Sequence, residues 1–177
     1  MKKKVKTIAA SAIIGTSLIA CFSASAGSEE AALKSNKITF FGSASSSISS
    51  SVAVPHNYHT LSYSGTVPPL LNKDGKTAYE RYGDTETQAI GILSKFKDDL
   101  EAKGLSMSDV TYLRVYITPD PNKGNKQDYQ GWFNAYAKFF NTKENPVKTA
   151  RSTVGVDSLV NSDWLIEIEA EVNYKGK

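Results

Sequence analysis

From Trp164 to Tyr174 the chain alternates with period two. Trp164, Ile166, Ile168, Ala170, Val172 and Tyr174 share one face, and Leu165, Glu167, Glu169, Glu171 and Asn173 share the other. Such alternation predicts a strand with one side on a core and the other turned away from it. Val110 to Ile117 reads as a second strand, with Val110, Tyr112, Arg114 and Tyr116 opposite Thr111, Leu113, Val115 and Ile117. Shorter strands are predicted over residues 37–41, 57–65 and 149–156 from their β-branched and aromatic content.

Two segments carry the helical period instead. Ala89, Ile92, Leu93, Phe96 and Leu100 fall on one face of a helix that Asp84 or Thr85 can cap and Gly104 can close. A second helix is predicted over about residues 128–140, where Tyr129, Trp132, Phe133, Tyr136, Phe139 and Phe140 form a broad aromatic stripe. A stripe at this spacing is ordinarily core. The element order is β-β-α-β-α-β-β. It predicts an α+β fold, a mixed sheet with both helices on one face.

The first 26 residues change how the charge is read. MKKKVK, an apolar run and Ala24-Ser25-Ala26 have the layout of a secretory signal peptide, with cleavage after Ala26. An alternative is lipidation at Cys21, because Leu18-Ile19-Ala20-Cys21 resembles a bacterial lipobox. The expected localisation is therefore periplasmic or secreted, with membrane attachment only if Cys21 carries a lipid. Residues 27–36 read as a flexible tail and residues 37–177 as one domain. Without the four leader lysines the net charge of +3 becomes −1. The residual charge gives no general attraction to nucleic acid.

The chain lacks the common phosphate-binding, dinucleotide-binding, nucleophile-elbow and zinc-protease motifs. His56 and His59 would point to opposite faces of an extended segment, a poor start for a metal site. Residues 43–51 contain seven serines and read either as a flexible loop or as a flap beside a site. Arg151 emerges among small and apolar neighbours, and its rigid fork suits a carboxylate. That carboxylate could be a ligand's or one of the last strand's glutamates. Three glutamates in register repel one another, so one of them is expected to hold a cation or a raised pKa.

Ala150-Arg151-Ser152-Thr153-Val154, followed by Ile166-Glu167-Ile168-Glu169-Ala170, resembles the RidA (YjgF/UK114) family of 2-imino-acid deaminases. Ser64-Gly65, Leu100 to Gly104, Asp109-Val110 and Tyr136 to Phe140 follow the family order over about residues 37–173. The resemblance implies a chorismate-mutase-like α+β subunit, a homotrimer with sites between subunits, and hydrolysis of 2-imino or enamino acids to 2-oxo acids and ammonia. It implies no cofactor and no metal. By the same resemblance Arg151 holds the substrate carboxylate, Glu167 places or activates water, and Ser64, Thr153 and Ser51 line the pocket. Three positions depart from the pattern: Ser51 stands where many members have Tyr, Thr153 where Cys is frequent, and Phe133 where a helix Asn is usual. A non-catalytic trimer that binds small carboxylates or a partner in the cell envelope is the alternative reading.

Overall fold

The computed structural model describes residues 29–176, so the signal-peptide reading lies outside the described residues. The chain separates into two units, residues 1–35 and 36–177. In the first, residues 29–33 of the expected tail form a helical turn, with Lys34 paired to Glu30 four residues back.

The second unit contains β1 (Thr39–Phe41), β2 (Ser51–Ala53), β3 (His59–Thr66), α1 (Ala78–Tyr82), α2 (Thr85–Ala102) and β4 (Val110–Ile117). These are followed by β5 (Pro119–Asp120), β6 (Lys126–Gln127), α3 (Tyr129–Tyr136), β7 (Ala150–Gly155) and β8 (Ile166–Tyr174). The main sheet runs β3-β8-β4-β7. β8 is antiparallel to both β3 and β4, whereas β4 and β7 are parallel, so the sheet is mixed.

All five positions of the predicted helical stripe, Ala89, Ile92, Leu93, Phe96 and Leu100, are buried in α2. The Asp84 side chain accepts from the Thr87 N–H at 2.9 Å and caps its start. Gly104 ends the run at φ 72°, a left-handed conformation that costs glycine little. On β8, Ile166, Ile168, Ala170 and Val172 are buried against the helices, as the alternation requires. On β4 a bulge between Val110 and Tyr112 resets the alternation, so Val110 enters the core beside Leu113, Val115 and Ile117.

The structure departs from expectation at several places. The second helix ends at Tyr136, because the chain turns through residues 137–141 and Asn141 adopts φ 56°. Phe140 nevertheless stays in the core, stacked on Tyr136 at 4.9 Å. Five-residue α1 and the small β5–β6 hairpin had no periodic signal. The serine-rich stretch is tied down rather than free: the Ser49 hydroxyl donates to the Lys148 carbonyl, and Ile48 packs on the core.

Candidate functional site

β7 is the sheet edge that presents Arg151. Its parallel register places Arg151 beside Leu113 and Thr153 beside Val115, so both side chains sit on the helix-covered side. There the guanidinium lies over three rings supplied largely by α3. Its Cζ is 4.2 Å from the Tyr136 centroid, 4.8 Å from Phe133 and 5.5 Å from Trp132. Aromatic faces attract a cation, which lets this charge sit in partly dry surroundings. Among the described residues no carboxylate pairs with Arg151, and its Nη1 is buried without a hydrogen-bond acceptor.

Burial lowers the Arg151 pKa from its ordinary value, and the neighbouring Tyr136 opposes that shift. Burial in turn pushes the Tyr136 hydroxyl up to about 12. A hollow of about 230 Å³ opens over the guanidinium, lined by Ser47, Phe133, Tyr136, Ala137, Phe140 and Asn141. Thr153 receives a hydrogen bond from the Trp132 indole N–H at 3.2 Å, which fixes the ring beneath the arginine.

Glu167 sits elsewhere in the protomer. It pairs in register with Tyr116 on the open face of the sheet, and β4 separates its strand from β7. The internal Arg151–Glu pair is therefore not formed: the glutamates of β8 project from the face opposite Arg151. Of the other two glutamates, Glu169 bonds Arg114 at 2.5 Å and Glu171 is exposed. Glu169 is thus the glutamate that holds a cation.

Ser64 and Gly65 occupy a bulge in β3 between Tyr63 and Thr66. Glu167 lies directly on Gly65: a Cβ there would stand 1.7 Å from Glu167 Oε1. The start of β8 is held by buried Gln88, whose carbonyl oxygen accepts from the Leu165 N–H at 2.8 Å and whose amide donates to the Gly83 and Asp163 carbonyls. A side chain on α2 thereby sets the strand two residues before Glu167.

The predicted site residues thus form two groups. Gly65 and Glu167 meet at the β3 side, with Ser64 next to Gly65 in the same bulge. Arg151 and Thr153 lie at the β7 edge with the aromatic box. The structure places Ser51 in the β1–β2 hairpin opposite Phe41, and Ser47 is the serine that reaches the Arg151 hollow. Neither Ser47 nor the ring of Phe133 was singled out as a pocket wall by the pattern. Two signs pointed to Phe133, its departure from the helix Asn usual in the family and its place on the border of the aromatic stripe, and here it remains 39% exposed. Among the described residues no three His, Cys, Asp or Glu side chains converge on a metal position.

Comparison with known proteins bears on this geometry. The family model described as endoribonuclease L-PSP matches residues 44–173. A RutC family protein of Pyrococcus horikoshii is 35% identical over 102 residues, 58% of this chain and 71% of that protein. A Rid family protein of unknown function from Yersinia pestis superposes with a TM-score of 0.57 at 25% identity, over 78% of this chain and 98% of that one. Escherichia coli TdcF with bound serine superposes with a TM-score of 0.51 at 29% identity, over 66% and 81% of the two chains. With a model match across most of the domain and the Arg151 and Glu167 strands inside it, the chain belongs to the RidA/YjgF family, a broad class of imine deaminases and related proteins.

Proposed function

We propose that the protein deaminates reactive 2-imino or enamino acids, releasing a 2-oxo acid and ammonia. The observation that carries this reading is the unpaired Arg151 guanidinium beside an open hollow. A charged group costs free energy to hold out of water without a counter-ion, so a folded chain keeps one there when an anion completes it. Arg151 would take the substrate carboxylate through its planar fork. That a family relative, TdcF, is known with bound serine, itself an α-carboxylate, supports the assignment.

An imine carbon is already electrophilic. Hydrolysis needs an anchored substrate, a placed water and a proton carrier. Water adds to the carbon of the protonated imine as one of its protons passes to a carboxylate, giving a carbinolamine. The same carboxyl returns that proton to the amino nitrogen; as the C–N bond breaks and ammonia leaves, the remaining hydroxyl proton passes to the carboxylate and the C=O of the oxo acid forms. Glu167 is the carboxylate assigned to this shuttle, and Ser64 beside it offers a hydroxyl to the intermediate.

Arg151 and Glu167 lie on opposite sheet faces of one protomer, so one chain alone does not assemble this set. We therefore place the working site between copies: Arg151 and Thr153 from one protomer, Glu167 and Ser64 from the next, in a homotrimer. The leader-like first 26 residues support export, and the intact mass of the mature chain distinguishes cleavage after Ala26 from lipidation at Cys21.

The test is ammonia release from 2-iminopropanoate and 2-iminobutanoate generated in situ. Release above the spontaneous rate, lost in Glu167→Gln, is the expected result. Background-rate release with intact 2-oxo acid binding would instead leave the non-catalytic carboxylate-binding reading.

A further inference from the structure

We infer that the site selects acids whose side chain is aromatic or branched and apolar, and that Phe133 is the selecting residue. The inference rests on Arg151 as the carboxylate anchor and adds the chemistry of what hangs from it. A carboxylate docked on the guanidinium carries its substituent only two bonds away. The surface at that reach is the wall of the hollow, where Phe133, Tyr136, Ala137 and Phe140 present carbon. Besides the guanidinium, the polar side chains lining it are Ser47, Asn141 and the hydroxyl-bearing Tyr136.

The size agrees. The hollow measures about 230 Å³, whereas an apolar cavity of about 150 Å³ suffices to hold benzene. Phe133 differs from its helix neighbours in a telling way. Trp132 and Tyr136 are 0% and 2% exposed and belong to the core, while Phe133 leaves 39% of its surface open. Its ring sits 4.8 Å from the guanidinium, on the wall of the hollow. A ring so placed both steadies the cation and offers apolar surface for a ligand to cover.

The preference is measurable in binding alone, apart from turnover. Titration calorimetry of the full-length protein with pyruvate, 2-oxo-4-methylpentanoate and phenylpyruvate supplies the affinities. The two larger acids should bind at least about tenfold more tightly than pyruvate, the yield of burying one large apolar side chain. In Phe133→Ala that ratio should fall to within about threefold, whatever common change the loss of the ring makes to the affinity of all three acids. Phe133→Leu, which keeps an apolar wall, should retain most of the preference for 2-oxo-4-methylpentanoate.

Pyruvate binding as tightly as phenylpyruvate, or no acid binding, overturns the inference. So does a ratio that survives Phe133→Ala. A change in oligomeric state in Phe133→Ala with the ratio intact would likewise overturn it, assigning the ring to a subunit contact. Failure of deamination with the binding preference intact removes the proposed reaction and leaves this inference standing.

Discussion

The carboxylate of Glu167 rests on the backbone of Gly65, in the space a side chain at residue 65 would fill. A β-bulge in β3 brings the glycine there, and Gln88 on α2 holds the start of β8 that carries the glutamate. Contact of this kind uses glycine for close approach rather than for an unusual φ. It fixes where the carboxylate points before any substrate arrives.

Gly65→Ala should therefore displace Glu167 while leaving the sheet intact. We expect kcat for imine hydrolysis to drop at least about tenfold, since misplacing a reacting group by an ångström has that scale of effect. Far-ultraviolet circular dichroism and the oxo-acid affinity should stay near wild type. An unchanged kcat would show that Glu167 does not act from this position.

Mixing two inactive variants tests the division of the site between copies. Arg151→Met and Glu167→Gln protomers, unfolded together and refolded as mixed trimers, should recover about a quarter of wild-type activity, because that fraction of sites draws both intact residues from different chains. A mixture that stays inactive places both residues' work within one protomer.

Arg81 and Asp163 form a two-pronged pair, with Nε and Nη2 donating at 2.6 and 2.8 Å, and it ties α1 to the loop before β8. The hydrogen bonds from Arg81 hold the Asp163 carboxyl below the ordinary aspartate value. A carboxyl depressed in the fold adds stability above its unfolded pKa, near 3.8, and loses it as pH falls through the lower folded value. Arg81→Ala should accordingly lower the thermal midpoint at pH 7, and the gap to wild type should narrow in acid below that value. A gap independent of pH would show that Arg81 acts by packing alone.

Gly91 faces Pro69 across the helix surface, and a Cβ there would stand 2.6 Å from Pro69 Cδ. Alanine gains about 1 kcal/mol of helix propensity over glycine. The proline ring cannot swing aside, so overpacking of about 1–3 kcal/mol should win. Chemical denaturation of Gly91→Ala should show a net loss of about 1 kcal/mol. A gain would mean the Val67–Leu71 segment moves freely.

Much of the architecture was legible in the chain because its periods are clean. The α2 stripe from Ala89 to Leu100 and the alternation of Ile166 to Val172 each appear as read, since each buries one regular face. α1 escaped because five residues hold too few apolar positions to show a period. Its only signals are the Thr77 cap, which accepts from Glu80, and Gly83 at φ 79°. At the site, sequence named Arg151 and Glu167 but left open whether they meet. The answer depends on strand order, which inserts β4 between their strands, and on register, which sets their side chains on opposite faces. Local pattern carries no information about that order. Nor does it show that Ser47, distant in sequence, closes the hollow over Arg151.

The most direct measurement is calorimetric titration of 2-oxobutanoate into wild type and Arg151→Met, with thermal midpoints recorded on the same samples. Among the described residues Arg151 has no carboxylate to lose, and methionine can keep an apolar contact with the three rings, so the midpoint should stay unchanged or rise while the acid weakens at least about tenfold. Unaltered affinity together with a lower midpoint would make Arg151 a structural residue and contradict the account.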